Sequence, residues 1–466
     1  MVDGHREVGA VLLDGADRQE DDRTFGDPVT DLGPGEVVES SAHRGDSSHR
    51  HIAHAYHRLV EDRLVISNGV VDGRRVDLLV DAGVVVADDI DPAGVEAPCV
   101  DVGGRLLLPA LAEPHAHLDK ALTAEIAPNP TGDLRGAIEA WMEAEAAGRF
   151  DAEGMAGRIR EELDQLLLSG TTAVRSHLNV GGSVGVEHLD VALRVAGEFE
   201  GVLDVQLVAM ITMPLTGEGS ESNVAALREA IDMGVHLVGG CPHLEPDPVG
   251  AIEILLQHAG EAIPLDLHVD ETLNPEMLTI EDLISAVETH RANAVTASHC
   301  VSLSALDSDR VRRIGDGLAR SGIGVVALPQ TNLFLQGRDD QRLTPRGIAP
   351  VGRLRAAGVE VAAGGDNVQD PFNLMGRSDP LEAAALMVMA AHESPEDAFD
   401  LVSSGARRVM GLGSAGPEVG SVADIVAVPA RSVREAVAEA SADRIVFRRG
   451  REVARTEVRH QISRGR

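Results

Sequence analysis

Two histidines one residue apart, His115 and His117, are where chemistry first becomes legible in this chain. In an extended strand, residues two apart point the same way, so both imidazoles can turn to one side while Ala116 faces the other. A His-x-His pair alone is weak evidence for a metal site. The chain carries more residues of the same kind, each ending a strand-like run: His177, His268 with Glu271, His299, and Asp366. Imidazoles and carboxylates gathered at buried strand ends are costly unless partnered. A metal ion supplies that partner, because a few imidazole and carboxylate donors with one open position is how catalytic zinc is held, and N/O ligation also admits Fe(II) or Mn(II). Such an ion lowers the pKa of its water towards neutrality and makes a hydroxide available.

Those residues must be carried to one rim. Eight apolar strand-like runs recur with helix-like segments between them, the pattern of repeated βα units in a parallel sheet. They are RLLLPAL (105–111), TTAVRSHLNV (171–180), DVQLVAMIT (204–212), HLVGGCP (236–242), PLDLHVDE (264–271), AVTASHC (294–300), GIGVVALP (322–329) and VEVAAGGDN (359–367). Intervening stretches such as AEGMAGRIREELDQLLLSG and SNVAALREAIDMG space their apolar residues three and four apart and end near Gly, as amphipathic helices do. The pattern predicts an α/β fold, a (β/α)8 TIM-like barrel over 108–411, whose functional groups sit at the C-terminal ends of the strands. On that reading His115 and His117 follow the first strand and Asp366 ends the eighth.

The flanks have another texture. RLVISNGVVDGRRVDLLVDAGVVVADD alternates apolar runs with Asn-Gly, Asp-Gly and Ala-Gly breaks, which are hairpin signals. GSVADIVAVPA and RIVFRRGREVAR near the C-terminus share its short-strand character, so residues 59–107 and 412–460 are expected to pair into a small β-sandwich domain. Residues 1–58 show neither period and read as a disordered extension, although six of the 18 histidines lie there.

Composition narrows the function classes. A chain of 466 residues has room for a barrel and a companion domain. No window is apolar over the 18 or so residues of a membrane span, and no secretory leader is visible, so a cytoplasmic location is the expectation. With 41 basic against 75 acidic residues the net charge is −34, which repels nucleic acid and leaves a small heterocyclic substrate as the expected partner, a homo-oligomer staying open. Cys99, Cys241 and Cys300 are too scattered for a disulfide framework and read as reduced core residues. Lysine occurs once, at Lys120.

The segments EPHAHLDK, LHVDE, TASHC, ALPQTNLFLQGR and GGDNVQDPF, in that order, resemble the amidohydrolase superfamily and within it the cytosine deaminase branch, over roughly residues 60–455. HLDK and GGDN are also similar to the isopropylammelide amidohydrolases. The resemblance implies one divalent ion, zinc or iron with manganese as a further option, held by His115, His117, His268 and Asp366. It implies that Glu271 shuttles protons and that His299 polarises the bound water or the forming alkoxide. The residue chemistry agrees: Asp366 can collect a proton from water, and Glu271, three residues from His268, is placed to protonate a ring nitrogen as ammonia leaves. A carboxylated lysine bridging two metals needs a lysine at the fourth strand, which here ends in GGCPHLE, so a mononuclear centre is favoured.

Around this centre, Lys120, Thr212, Gln330, Asn332 and Asn367 are the candidate substrate contacts, while Arg175 and His177 are expected to support the ligands from behind. His188, His258, His290, His392 and His460 read as surface residues. Two departures bear on the substrate. Cytosine deaminases carry a glutamine after the third strand where this chain has AMITMPLTG, so Thr212, Met210 or Met213 lines that wall instead, and Asn367 stands where the bacterial enzymes have a second aspartate. Lost hydrogen-bonding partners change which ring is accepted. The leading expectation is a hydrolytic deaminase of a cytosine-like aminopyrimidine, s-triazine or cyclic amidine that releases ammonia through a metal-activated hydroxide. An amidohydrolase that releases an alkylamine or opens a cyclic amide is the second, and a catalytically inactive barrel acting as a binding partner is the third.

Overall fold

A computed structural model describes residues 63–464 with the exception of 291, 339–341 and 343. The extension expected over 1–58 lies outside the described residues. Among the described residues, sixteen strands fall into two sheets. The first contains β1 (Arg63–Val71), β2 (Arg74–Asp81), β3 (Val84–Ala87), β4 (Cys99–Asp101) and β5 (Leu106–Pro109) from one flank, with β14 (Ile425–Val428), β15 (Ile445–Arg448) and β16 (Arg451–Arg455) from the other. Its order is β16-β15-β14-β5-β1-β2-β3, with β4 on β1. The Asp72–Gly73 and Ala82–Gly83 turns take positive φ at both residues, the conformation that a two-residue hairpin requires. Asn68–Gly69 makes no turn; it is a register shift inside β1. A Cβ at Gly69 would lie 2.4 Å from Leu107 Cδ1, so glycine is needed where β1 crosses that side chain. Residues near Val422 bridge back to Val84, and Ile66, Leu78, Val85, Leu107, Ile425, Ile445 and Phe447 share one apolar core, so the mixed sheet folds over on itself.

The second sheet is the barrel, an uninterrupted parallel run of β6 (Leu111–Ala116), β7 (Thr171–Val180), β8 (Asp204–Ile211), β9 (Leu237–Gly240), β10 (Leu265–Val269), β11 (Val295–His299), β12 (Ile323–Ala327) and β13 (Val361–Ala363). Helices such as Ala152–Leu168 cover it, capped by the Asp151 carboxylate on Gly154 N and burying Ile159, Leu163 and Leu166. Seven of the eight sequence-read strands fall where expected. The first divides: Leu106–Pro109 pairs antiparallel with β14 in the flank sheet, and the barrel starts only at Leu111. A run of leucines cannot say which of two sheets it joins, and the polar letters of EPHA hid a strand that is buried throughout. The flank sheet therefore reaches Pro109, beyond the expected limit at 107.

No described helix is long and apolar enough to cross a membrane. Of the cysteines only Cys300 is buried; Cys99 is exposed and Cys241 is half-buried.

Candidate active site

The period-two argument holds at the end of β6, where His115 and His117 are both buried and turn inward. His268 arrives from β10 and Asp366 from just beyond β13. His117 Nε2 lies 3.2 Å from His268 Nε2 and 3.3 Å from Asp366 Oδ1, and His115 Nε2 lies 3.7 Å from the same oxygen. Two donors held about 2.0–2.1 Å from one ion at a tetrahedral angle stand roughly 3.3 Å apart. Among the described residues, His115 Nε2 and both Asp366 oxygens have no hydrogen-bond partner although fully buried. Orphaned buried polar atoms at ligand spacing suit a donor set for a metal ion.

Electrostatics point the same way. Burial, then the neighbouring imidazoles, hold His115 and His268 well below the ordinary histidine range, and burial followed by Lys120 lowers His117. All three rings are neutral and can offer a lone pair. Burial alone would raise Asp366, but His117 and His299 hold it below the usual carboxylate value. Three neutral imidazoles and one carboxylate anion in a buried space favour a cation.

A support behind His115 fixes its tautomer. His115 Nδ1 is 2.9 Å from Ser298 Oγ, which donates to Asp266 Oδ1 at 2.9 Å. Asp266 also accepts from Arg175 Nη1 at 2.7 Å and lies 3.3 Å from His177 Nε2, while the His177 ring stacks on His115 at 3.9 Å. Arg175 and His177 thus sit beneath the donors. Three strand-end residues, Asp270, His299 and Asp366, have φ of 53°, 72° and 63°, the left-handed region that residues bearing a side chain occupy only sparsely.

In front of the donors opens a cavity of about 300 Å³. Glu271 and His299 face it together with His117, His268 and Asp366. Burial, then the charge of Asp366, raises the Glu271 carboxyl well above its ordinary value, and burial pushes His299 down to about 4. Glu271 Oε1 lies 3.5 Å from His299 Nδ1, and Asn332 Nδ2 lies 3.0 Å from the same nitrogen. His299 Nε2 has no partner among the described residues. Lys120, Thr212 and Asn367 line the cavity with Met210 and Met213. Two of the candidate contacts do not. Asn332 stands behind His299, and Gln330 is turned away to donate to Glu382 Oε2 at 3.1 Å. Both belong to the short helix Pro329–Leu335, whose turn sends neighbouring amides in different directions.

Several residues went unread in the sequence. Asp119 is buried and bound by Lys120 Nζ at 3.1 Å, His188 Nδ1 at 3.1 Å and the Asn179 amide at 3.0 Å. His188 is therefore a buried partner of the site; its place on a helix disguised it. Burial would raise Asp119, yet Lys120 and His188 hold it far below the carboxylate range. Asp266 lies two residues before His268, so the alternation that singled out the histidines also points its carboxylate inward. Glu113, two residues before His115, is separated from it by a register shift in β6 that breaks the alternation. His243 Nδ1 is 3.0 Å from the His268 carbonyl, and Glu245 accepts from Leu215 N at 2.9 Å.

Residues 208–466 match the model of the Amidohydrolase family. A pterin deaminase from Rhizobium rhizogenes is 32% identical over 419 residues, covering 84% of this chain and 94% of the relative. The chain belongs to the amidohydrolase family. Within it, the chain stands in the cytosine deaminase-like branch and is a hydrolase acting on carbon–nitrogen bonds. A 5-methylcytosine deaminase from Klebsiella pneumoniae, solved with 5-fluorocytosine, superposes with a TM-score of 0.76 at 27% identity over 86% of this chain and 99% of that one. An N-isopropylammelide isopropylaminohydrolase from Burkholderia multivorans superposes with a TM-score of 0.71 at 26% identity, covering 84% and 98%. The amidohydrolase fold and the donor cluster together suit a metal ion.

Proposed function

We propose that this amidohydrolase is a hydrolytic deaminase of an aminopyrimidine ring, favouring a fused bicycle of the pterin kind, with one divalent metal ion, zinc or Fe(II), held by His115, His117, His268 and Asp366. The observation that carries the proposal is the group of four buried donors at ligand spacing, opening on a cavity that also presents Glu271 and His299. A divalent ion bound there supplies Lewis acidity that makes water nucleophilic near neutral pH.

The remaining work falls to the protein. Asp366, with two unpartnered oxygens, takes a proton from the attacking water. Glu271, kept protonated by burial and by Asp366, gives its proton to the ring nitrogen next to the carbon under attack. His299 turns its unpartnered Nε2 towards the same space and stabilises the developing oxyanion. A carbon–oxygen bond forms, and the Glu271 carboxylate takes back a proton from the hydroxyl of the adduct as the carbonyl forms. The exocyclic carbon–nitrogen bond breaks, with the amino group leaving as ammonia on the one proton that Asp366 had taken. Trp141, Phe372, Met210 and Met213 give the cavity an apolar wall. Lys120 and Asn367 present polar atoms to a ring carbonyl edge. The volume, near the lower end for ligand pockets, exceeds what a lone pyrimidine needs and suits two fused rings. Similarity to the pterin deaminase over nearly its whole length supports the same choice.

The apolar wall also favours a second reading, release of an alkylamine from an N-alkylated ring. An ammonia-release screen on the metal-loaded protein across pterins, aminopyrimidines and triazines, with amine analysis of the products, decides between them. Ammonia from a pterin at higher kcat/KM than from cytosine is the expected result; alkylamine alone, or no ammonia from any ring, overturns the proposal. Glu271→Gln should lower kcat by roughly 10²–10⁴-fold with the metal retained.

A further inference from the structure

The barrel has one weak seam. Each neighbouring strand pair from β6 round to β13 shares a ladder, but β13 and β6, at the two ends of the sheet, share none. One parallel bridge, Ala116 with Asp366, joins them, and Asp366 N donates to the His115 carbonyl at 3.0 Å. Three of the four donors stand at this seam: His115 and His117 on one side, Asp366 on the other. Spacing across it therefore decides whether the donors can share an ion, and the backbone alone holds it loosely.

Glu113 occupies the gap. Its carboxylate is buried and accepts His115 N at 3.1 Å on its own strand and Gly365 N at 2.9 Å across the seam. Both amides need it. Between Glu113 and Ala116 the register of β6 on β7 shifts, and Pro114 has no N–H, so His115 is lifted out of the β7 ladder. Gly365 lies past the end of β13, beyond reach of a partner strand. The carboxylate replaces the missing ladder and ties one residue that is a donor to the neighbour of another. The fit is close on the far side: a Cβ at Gly364 would stand 2.5 Å from Glu113 Oε1.

We infer that Glu113 is a positioning residue that clamps the first barrel strand to the last and thereby sets the spacing of His115, His117 and Asp366 for metal binding. The inference rests on the reading of those donors as a metal centre and is independent of which ring is deaminated. Two substitutions disturb the clamp from opposite sides. Glu113→Ala removes the acceptor, and Gly364→Ala pushes a methyl group against it. Zn(II) affinity, measured by chelator competition on the full chain, should fall about 10–100-fold in each, the cost typical of losing a ligand's outer support. Glu113→Gln, which keeps one oxygen to accept both amides, should stay within a few-fold of wild type. Because both alanine substitutions break one contact, their effects in the double variant should be far from additive. Wild-type Zn(II) affinity in folded Glu113→Ala or Gly364→Ala overturns the inference. So does full additivity, or a Glu113→Gln variant that loses the metal as badly as Glu113→Ala. If Glu113→Ala does not fold, Gly364→Ala and Glu113→Gln decide the matter by the same readout.

Discussion

Asp424 and Asp366 are both buried aspartates, one beneath the barrel and one at its rim, and their surroundings are opposites. Asp424 accepts from Arg448 Nη1 at 3.0 Å, Arg407 Nη1 at 3.3 Å and Arg449 N at 2.8 Å. Arg448 reaches on to Asp204, the first residue of β8, so this network joins the flank sheet to the underside of the barrel. Asp366 has neutral imidazoles around it and, among the described residues, no hydrogen-bond partner on either oxygen. A buried carboxylate with its cations in place is cement. One surrounded by neutral donors instead is kept for chemistry, which is the use proposed above for Asp366.

Four measurements press on that contrast, in falling order of expected effect. Asp366→Asn should lower kcat/KM by roughly a thousandfold or more and strip the metal, while the midpoint of denaturant unfolding of the metal-free protein stays where it was. A large loss of apo stability would make Asp366 structural after all. Asp424→Asn should do the reverse, removing about 3–5 kcal/mol of stability by leaving Arg407 and Arg448 without their anion, with unchanged kcat/KM per folded molecule. A kinetic defect in that variant would mean that the underside speaks to the rim.

Glu162 lies between the two cases, buried with one donor, Ser378 Oγ at 2.7 Å, and no cation partner among the described residues. Burial pushes its carboxyl up to about 7, against the lowering effect of that hydroxyl. A raised acid gives its full stability below the unfolded value near 4.5 and loses it as pH climbs towards the folded value. Between about pH 5 and pH 8 the wild type should therefore lose on the order of 2–3 kcal/mol relative to Glu162→Gln, read from denaturation midpoints at each pH. A constant gap would show that Glu162 is ionised throughout. The smallest effect belongs to Lys120, a rim cation already paired with Asp119 and Asn179. Lys120→Arg should cost about tenfold in kcat/KM, since a planar fork cannot replace a point charge in that space. No change on any accepted substrate would remove Lys120 from the substrate contacts.

Much of the rim was readable because strand alternation and the C-terminal-end rule need only local spacing. His115, His117, His268, Glu271, His299 and Asp366 converge where those two rules send them. The same rules, applied two residues upstream of His268, would have exposed Asp266, whereas the register shift between Glu113 and Ala116 hides Glu113 from them. What escaped depended on contacts between distant segments. His188 on a helix looks like any surface histidine until Asp119 is found against it, 69 residues away. Gln330 and Asn332 look alike in sequence, yet only Asn332 meets His299.

The letters alone determined a repeating strand-and-helix barrel with its polar donors at one end, since periodicity and residue chemistry are properties of short segments. Only the folded chain decided which sheet received Leu106–Pro109, which buried acids found cations, and how the β6–β13 seam is closed. Each of those turns on whether two stretches far apart in sequence lie within hydrogen-bonding reach, and no local pattern encodes that distance.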